Sequence, residues 1–580
     1  MRLTPGRDAY RQFDIASHAW VSYSWADVLA RVGHWRAALV AENLPVGARI
    51  GILVPNSVEH VCLDQAALAS GYACVPLHVI DNPESLAYVI ADSGASVLVV
   101  DSAARWAALA PFQAQFSRLQ RVVYLGKGEP AASGIALCID DWLARADGSM
   151  SPTPGPQPIS PDALAAIVYT SGTTGRPKGV MLSHRNILSN VNSILAAMPV
   201  NEDDVLLSFL PLSHTFERTV GYYLPIAAGA TVAYARSISQ LMEDLVTIKP
   251  TILVSVPRIY ERAYAALRET VEGSWLKKQL FDWAVDLGWR QFEYDQGRGR
   301  ASSLPARLLY SLLDPLVGKP LRARFGGRLR AAVTGGAALA PEVARPFLAL
   351  GVTLLQGYGM TESAPVIACN TPDDNEPASV GRPVSGVSVR VGDRDELLAR
   401  GANVMMGYWQ RPTETALAVD PQGWLHTGDQ AQLKDGRVYI KGRIKDIIVT
   451  STGEKIAPAD LETAIGGDPM FDQVMVLGEQ RPYLVALVVL NATRWAQQAR
   501  ELGLDPQTAD LRAVTATHWV LERIGEALRA FPSYATPRAV WLSLEPWTVG
   551  AGLITPTLKP KRLAIQARFA AEIAELYRGH

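Results

Sequence analysis

The feature that most constrains the fold is a repeated alternation of short apolar runs with amphipathic helical segments. The runs at residues 50–54 and 96–100 have the length and composition of buried strands. A segment beginning at Ser24 has the capped, amphipathic pattern of a helix, and the same alternation resumes over residues 205–256. Buried strands separated by helices predict an α/β fold with a mostly parallel sheet covered on both faces.

Length and composition restrict the class of protein further. A chain of 580 residues with 48% hydrophobic and 19% charged residues is typical of a multidomain globular protein and excludes a disordered or fibrous one. A formal net charge of −1 provides no overall attraction to nucleic acid. The four cysteines lie far apart, without disulfide-rich or zinc-ligand spacing. With no export signal and no membrane-spanning run, we expect a cytoplasmic protein, free or peripheral to the inner face of a membrane.

Residues 261–330 differ from the rest, because they are helical in pattern, rich in aromatic residues and locally basic. Residues 258–330 contain 14 Lys or Arg against 8 Asp or Glu, an excess of 6. Two interpretations remain open: a helical insertion whose aromatics pack on the core, or a surface that contacts anionic lipid or an acidic partner. The residues that would form such a surface are Trp275, Lys277, Lys278, Trp283, Trp289 and Arg290.

The motif that carries most chemistry is YTSGTTGRPKGVMLSH at residues 169–184. A predicted strand at residues 163–169 leads into a loop of glycines and small hydroxyl residues, whose backbone N–H groups and hydroxyls suit a polyphosphate. Lys178 stands between a proline and a glycine, so the loop is not a Walker A motif. The residues assigned to phosphate binding are Thr170, Ser171, Gly172, Thr173, Thr174, Gly175 and Lys178.

This string resembles the phosphate-loop signature of the adenylate-forming superfamily, which includes acyl-CoA synthetases, firefly luciferase and peptide-synthetase adenylation domains. Further family motifs follow in the expected order, and the resemblance covers nearly the whole chain. They are TGGAAL at 334–339, QGYGMTE at 356–362, GWLHTGD at 423–429, GRIKDII at 442–448 and LITPTLKPKR at 553–562.

The resemblance implies a two-domain architecture. The large N-terminal domain, residues 1–442, would consist of stacked mixed and parallel sheets with helices, including the insertion at about 261–330. A small, mobile α+β domain, residues 443–580, would swivel about a hinge at Lys445.

The resemblance also implies an ATP-binding site. The segments that would bind adenine contain Gly335, Gly336, Ala337, Gly357, Tyr358 and Gly359. Tyr358 would offer its ring to adenine, with a purely structural role as the alternative. Asp429 would accept both ribose hydroxyls, unless it is only a turn residue, and Arg443 would supply a cationic fork to ribose or phosphate oxygens.

The same motifs imply catalytic roles. Thr361 would hydrogen-bond the α-phosphate, and Glu362 would be an oxygen ligand for Mg²⁺. Lys559 would stabilise the charge that develops as a carboxylate attacks the α-phosphorus and pyrophosphate leaves. Lys561 and Arg562 are nearby alternatives, and Pro560 departs from the aliphatic residue that related sequences usually carry.

Two segments indicate the acid and the acyl acceptor. FLPLSHTFER at 209–218 and VSVPRIYER at 254–262 resemble the long-chain fatty acyl-CoA synthetase branch. His214 would lie beside the acyl carboxylate as a neutral donor or an aromatic wall, with a structural histidine as the alternative. TSTGEKIAP at 450–458 resembles the segment that forms the pantetheine tunnel, where Gly453 would allow close approach of the CoA thiol arm.

These resemblances imply an ATP- and Mg²⁺-dependent, AMP-forming long-chain fatty acid–CoA ligase. Its partners would be small molecules (fatty acid, ATP and CoA), with no nucleic acid and with membrane contact only through 261–330. Three alternatives remain: a fatty acyl-AMP ligase that delivers to a carrier protein, a medium-chain or aryl acid–CoA ligase, and a catalytically weak lipid-binding member.

Overall fold

The structure is a computed structural model. It describes residues 4–126, 134–147, 158–170, 176–505, 511–555 and 559–578. The Pro- and Ser-rich sequence of residues 147–161 predicts a connector, and this segment lies mostly outside the described residues.

Two large sheets form the first part of the chain. The first has nine strands; its inner six are parallel and the strands at both edges are antiparallel. In spatial order they are Arg382–Pro383, Val366–Cys369, Leu354–Gly359, Ala331–Thr334, Ile252–Ser255, Val205–Ser208, Thr231–Tyr234, Asp8–Asp14 and Ala19–Ser24.

The second large sheet has eight strands, of which six are parallel and two form an antiparallel edge. In spatial order they are Gly407–Tyr408, Lys178–Ser183, Leu164–Thr170, Ala73–Pro76, Arg49–Leu53, Val97–Val100, Arg121–Tyr124 and Ala136–Cys138.

Helices cover both faces of each large sheet, as buried parallel strands require. The main hydrophobic core lies between the sheets and joins residues of both, such as Ile50 and Leu206, to the helices in the middle layer. The middle helices include Trp25–Ala41, Val58–Ala69, His184–Ala197, a π-helical turn at Glu217–Tyr223 and Leu224–Ala228.

Further helices cover the outer faces. Pro83–Ser93 and Ala103–Ala108 pack beyond the eight-stranded sheet. Those beyond the nine-stranded sheet are Leu241–Ile248, Pro257–Glu272, Trp275–Asp295, Leu304–Leu313, Gly318–Arg324 and Pro341–Ala349. The remaining helices of this part are Ile139–Asp147 and Pro412–Ala418.

Three smaller sheets follow. An antiparallel four-stranded sheet is formed, in spatial order, by Val387–Val391, Glu396–Gly401, Leu425–Lys434 and Arg437–Arg443. The hairpin Ile448–Val449 with Lys455–Ile456 precedes a mixed three-stranded sheet of Phe471–Leu477, Val485–Leu490 and Ala539–Ser543. The helices of this last part are Pro458–Gly466, Ala492–Glu501, Val514–Ala527, Arg562–Arg568 and Ala570–Leu576.

The predicted α/β fold is confirmed, and the local sequence patterns that predicted it correspond to specific interactions in the structure. The Ser24 hydroxyl accepts a hydrogen bond from the backbone N–H of Asp27, and the Asp27 carboxylate accepts one from the Ser24 N–H. These two bonds form a capping box at the start of the helix. The strands Arg49–Leu53 and Val97–Val100 match the apolar runs and are neighbours in the sheet.

The basic insertion is helical, as its pattern predicts, but only part of its aromatic set is exposed. Trp289 is partly buried against the outer core and stacks with Phe292, and Arg345 lies over its ring. Lys278 is paired with Asp282 at 2.8 Å, whereas Trp275 is exposed. In the part of the chain that the structure describes, no helix combines the length and apolarity that crossing a bilayer demands.

Candidate active site

The edge where parallel strands end builds the first wall of the site. Ala331–Thr334 and Leu354–Gly359 are neighbouring parallel strands, so the segments following them start side by side. Gly336 has a φ of +83°, a left-handed conformation that glycine adopts without strain. At Gly359 a Cβ would lie 2.0 Å from the carbonyl oxygen of Pro365, so only glycine permits this tight return of the chain.

The predicted adenine-binding residues therefore share this edge. Gly335, Gly336 and Ala337 follow one strand, while Gly357, Tyr358 and Gly359 end its neighbour. The backbone N–H of Gly335 donates to the carbonyl of Ser255 at 3.3 Å, which ties the first segment to the next strand of the sheet.

Tyr358, Asp429 and Arg443 form one polar group. The Tyr358 hydroxyl donates to Asp429 Oδ2 at 2.6 Å, and Arg443 Nε lies 3.3 Å from Asp429 Oδ1. Asp429 and Arg443 face each other on adjacent antiparallel strands, which fixes their separation. Burial raises the pKa of Asp429, and Arg443 opposes that rise. The carboxylate keeps lone pairs for further donors, because two oxygens offer about four acceptor sites.

The structure describes the two flanks of the predicted phosphate loop. Thr170 ends one strand and pairs directly with Lys178 at the start of the next, so the two ends of the loop lie side by side. Lys178 Nζ is 5.2 Å from the ring centroid of Tyr408. The predicted residues Ser171, Gly172, Thr173, Thr174 and Gly175 lie outside the described residues.

Glu362 lies near Lys178, which flanks this loop. Its Oε1 accepts a hydrogen bond of 2.7 Å from the Tyr408 hydroxyl. The residue as a whole is 8% exposed and belongs to a short 3₁₀ turn that begins at Thr361. Burial raises the pKa of Glu362, while Tyr408, Arg443 and Lys178 act against the rise. Among the described residues no cluster of three or more His, Cys, Asp or Glu could hold a metal ion by itself.

Lys559 comes from the last part of the chain and reaches the same cleft. It follows Thr555, whose Oγ1 accepts from the Lys559 N–H at 3.0 Å, and an isolated β-bridge joins Ile554 to Pro560. Its side chain remains accessible, yet the surrounding protein desolvates it and Arg443 repels it. Together they lower the pKa of Lys559 to about 8, against the attraction of Asp429.

His214 lies close enough to Lys559 for the lysine charge to affect its pKa. The N–H of Phe216 points at His214 Nδ1 at 3.3 Å, so Nδ1 is an acceptor and the ring proton belongs on Nε2. Burial, with the nearby charges of Lys559 and His78, lowers the pKa of His214 to about 3. The imidazole is therefore neutral at physiological pH and presents an Nε2–H donor.

Two predicted residues lie outside this group. Lys445 is exposed in the turn after Arg443, where the Asp446 N–H donates to the Arg443 carbonyl at 3.0 Å. Gly453 forms the tight turn between Ile448–Val449 and Lys455–Ile456, with a φ of +91° and open space where a Cβ would point.

Sequence reasoning missed three residues of the site. Tyr408 engages Glu362, as described above. His78 Nδ1 lies 2.6 Å from the Ser213 hydroxyl, next to His214. Burial raises the pKa of Asp81, and the nearby charges of His78 and of Lys561, from the last part of the chain, act against this rise. No motif marks these residues: His78 and Asp81 share the turn after the strand Ala73–Pro76, and Tyr408 comes from the far edge of the same sheet.

The acid-side motif is only partly in the cleft. Arg218 is buried and forms an ion pair with Asp64, whose other oxygen accepts from Tyr222 at 2.8 Å. Burial alone would raise the pKa of Asp64, but Arg218 keeps it below its ordinary value. Glu217 is also buried and accepts from Ser208 at 2.6 Å. Burial raises the pKa of Glu217 to about 8, so this carboxyl is mostly protonated at neutral pH. The side chains of Glu217 and Arg218 thus anchor the π-helical turn that follows His214.

Comparisons with known proteins identify the family to which this α/β chain belongs. Residues 1–409 match the family described as AMP-binding enzyme, and residues 445–580 match the AMP-binding enzyme C-terminal domain. The chain therefore belongs to the AMP-binding enzyme family.

Similar proteins include the long-chain-fatty-acid–CoA ligase FadD15 of Mycobacterium bovis, at 30% identity over 96% of this chain and 92% of the relative. The peroxisomal long chain acyl-CoA synthetase 6 of Arabidopsis thaliana is 30% identical over 97% of this chain and 82% of the relative.

Among solved structures, the anthranilate CoA ligase AuaEII in complex with anthranoyl-AMP has a TM-score of 0.74 at 20% identity, covering 99% of this chain and 96% of that one. The A domain of a carboxylic acid reductase from Segniliparus rugosus, in complex with AMP and a co-purified carboxylic acid, has a TM-score of 0.74 at 22% identity. That match covers 99% of this chain and 92% of the other. At this identity both share the fold.

Proposed function

We propose that the protein is an AMP-forming fatty acid–CoA ligase acting on long-chain acids. In the first step a carboxylate oxygen attacks the α-phosphorus of ATP, giving acyl-AMP and pyrophosphate. In the second step the CoA thiolate attacks the acyl carbonyl, forming the thioester and releasing AMP. Membership of the family and the names of the full-length relatives support this reaction. The cytoplasm, which supplies ATP and CoA, is the compartment we expect.

One observation carries the proposal: Lys559, a cation from the last part of the chain, lies in one cleft with the polar group of Tyr358, Asp429 and Arg443 and with the neutral His214. Lys559 influences the pKa of both His214 and Asp429, so its ammonium lies near each of them. A carboxylate approaching from the His214 side would meet the α-phosphate beside Lys559. A cation held there stabilises the charge that develops as pyrophosphate leaves.

The nucleotide roles follow from the polar group at the sheet edge. Asp429 has acceptor sites left for ribose hydroxyls, and Arg443 steadies its charge. Tyr358, fixed by its bond to Asp429, would present its ring to adenine. Thr170 and Lys178 flank the loop that would hold the phosphates, and Thr361 would hydrogen-bond the α-phosphate.

The residues present fit Mg²⁺ shared with the substrate. This ion keeps most of its ligands as water and phosphate oxygens and takes only one or two carboxylates from a protein. Glu362 is such a carboxylate, buried and oriented by Tyr408. When bound, Mg²⁺ neutralises phosphate charge. Glu362 would hold the ion and Tyr408 would keep the carboxylate in position.

We further propose that the chain works as two bodies, residues 1–442 and 443–580, with a hinge at Lys445. Polar contacts join them, including the hydrogen bond from the Arg258 guanidinium to the Asp472 carbonyl and the ion pair of Arg494 with Glu269 at 3.0 Å. Polar contacts of this kind can be exchanged when domains rotate. Rotation would withdraw Lys559 and bring the turn at Gly453 towards the acyl-adenylate, where CoA would enter.

The decisive experiment measures pyrophosphate release and AMP release separately, for short, medium and long saturated acids and for aryl acids, with and without CoA. The proposal requires long-chain acids to give the highest kcat/KM and CoA to be consumed with AMP release. Adenylation without CoA consumption, with transfer to an acyl carrier protein instead, would establish the acyl-AMP ligase alternative. A preference for medium-chain or aryl acids would change the acid and leave the reaction type intact.

The hinge has its own test in Lys445→Pro, compared with Lys445→Ala. Proline fixes φ near −65° and so restricts the torsional change that rotation needs. The turn is also strained by proline at this position, so the ratio of the two half-reactions is the readout. Transfer to CoA should fall more than adenylation in the proline variant only. Equal losses in both half-reactions would move the hinge elsewhere.

A further inference from the structure

The helix Leu304–Leu313 has apolar residues on both of its faces. Its inner face packs on Trp275–Asp295 and the core: Leu313 is buried and the Tyr310 hydroxyl donates to the Ala349 carbonyl at 2.7 Å. Its outer face nonetheless carries Leu304, Leu308 and Leu312, which are 76%, 67% and 71% exposed. A surface helix normally directs polar residues to water, so this face is unusual.

The exposed leucines form a continuous stripe. Positions 304, 308 and 312 are separated by one helical turn each and therefore lie above one another. Leu309 and Leu316 extend the stripe at its side and beyond the helix end, at 42% and 64% exposed. We call these five leucines the leucine stripe. Contiguous apolar patches on a protein surface mark sites of contact with another apolar phase or partner.

The charge around the leucine stripe restricts what can cover it. Residues 299–328 contain six Lys or Arg and a single acid, Asp314, which is engaged by Arg322 at 2.7 Å. The other cations are exposed: Arg300, Arg307, Lys319, Arg324 and Arg328.

From the stripe and its cationic border, we propose that the leucine stripe docks into the surface of an anionic phospholipid bilayer. A leucine face bordered by cations matches the interface of such a membrane, where acyl chains lie just below negative headgroups. A second copy of the chain fits less well, because two identical stripes face to face would oppose five cations with five. The docking needs no ligase activity and is separate from the proposed reaction.

The strength of docking can be bounded. Each leucine that leaves water contributes on the order of tenfold to the binding constant. Each cation near an anionic surface contributes about fivefold. A helix of this length lies in the interface and does not cross it, so binding should be reversible and weakened by salt.

The test is co-sedimentation of the full chain with vesicles of phosphatidylcholine alone and of phosphatidylcholine mixed with phosphatidylglycerol, at low and high salt. Binding is expected only with the anionic mixture and should weaken with salt. Leu308→Ala/Leu312→Ala should lower the binding constant at least about tenfold. The matched control Leu188→Ala/Leu417→Ala removes two other exposed leucines and should bind like the parent.

Two further arms separate the competing outcomes. Arg324→Glu/Arg328→Glu should remove most of the salt-dependent binding, whereas Lys277→Glu/Lys278→Glu should have the smaller effect. Unchanged binding in the leucine variant, or equal binding to vesicles without anionic lipid, would overturn the proposal. So would a concentration-dependent dimer in sedimentation velocity that the leucine variant abolishes. Thermal unfolding of each variant checks that the fold is intact.

Discussion

The two sides of the cleft are built in different ways. On one side Asp429 and Arg443 face each other on paired strands whose register fixes their spacing, and Tyr358, on a strand of the nine-stranded sheet, donates a hydrogen bond to Asp429. On the other side Lys559 follows an isolated bridge between Ile554 and Pro560. The side chains on the strands contact one another, whereas the position of Lys559 depends on how the last part of the chain is placed against the first. The difference suggests that the first side binds and the second acts in one step and leaves.

The contacts between the two sides agree with that division. The Arg258 guanidinium donates to the Asp472 carbonyl, and Arg494 pairs with Glu269. Within the last part, by contrast, apolar clusters cover both faces of the three-stranded sheet. A body with its own core and a polar contact to its neighbour can move as a unit.

The largest effect is expected when the cation of the mobile side, Lys559, is removed. Lys559→Ala should slow adenylation by roughly 10²–10³, the usual loss when one group that stabilises developing transition-state charge is removed. Transfer from presynthesised acyl-AMP to CoA should remain nearly normal, because Lys559 would be absent from that step. Single-turnover assays of each half-reaction measure both rates.

Lys561→Ala is the matched control for that variant, since Lys561 lies two residues away and interacts with Asp81. It should retain most of the adenylation rate. If Lys561→Ala lost more adenylation rate than Lys559→Ala, Lys561 would be the catalytic lysine. If Lys559→Ala slowed both half-reactions equally, Lys559 would not act in the adenylation step alone.

A smaller effect is expected on the fixed side. Tyr408→Phe removes the hydroxyl that donates to Glu362 Oε1. Partners that orient a metal ligand typically account for 10–100-fold in metal affinity, so the Mg²⁺ concentration for half-maximal adenylation should rise by about that factor. Saturating Mg²⁺ should restore much of the rate.

The control for this variant is Tyr534→Phe, which removes a hydroxyl from an exposed ring. Its Mg²⁺ dependence should match that of the parent enzyme. If Tyr408→Phe leaves the Mg²⁺ dependence unchanged, Glu362 is not a metal ligand in the way proposed.

The pH dependence of adenylation should distinguish Lys559 from His214, because only Lys559 should make the rate fall, by about tenfold per pH unit. The pKa of Lys559 is lowered to about 8, so its active, protonated form is lost as pH rises through that value. We expect kcat/KM for pyrophosphate release to fall about tenfold per pH unit above it. His214, with a pKa near 3, stays neutral throughout this range and contributes no second limb.

Lys559→Arg provides the check, because a guanidinium stays protonated across the whole range. Whatever its absolute rate, this variant should lose the alkaline decline. An alkaline limb that persists with arginine at 559 would assign the titration to another group.

Much of this arrangement is readable in the sequence, because its signals are local. A local pattern predicts the alternating strands, the Ser24 cap and the glycine-containing turns, because each depends on neighbours within a few residues. The motifs also order the cleft residues along the chain. Their spatial meeting follows from parallel strands ending at one edge of a sheet.

The remainder depends on partners distant in sequence. Tyr408 reaches Glu362 across 46 residues and Arg218 reaches Asp64 across 154, and no local pattern records either pairing. The leucines at 304, 308 and 312 have the spacing of a core-facing stripe. The structure instead turns the face containing Tyr310 and Leu313 inward, since burial is decided by the packing of Trp275–Asp295.

The smallest expected effect concerns the contact between the two sides. Arg494→Ala removes the ion pair with Glu269, whose side chain is 69% exposed. Exposed pairs contribute about 0.2–1 kcal/mol, so adenylation should fall by at most about fivefold. Because the pair belongs to this arrangement of the two bodies, transfer to CoA should not fall with it. Arg529→Ala breaks a more exposed pair with Glu526 inside the last part of the chain and should change neither half-reaction. Parallel losses in both half-reactions of Arg494→Ala would mean that the pair stabilises the fold, and the division between a fixed and a moving side would lose this support.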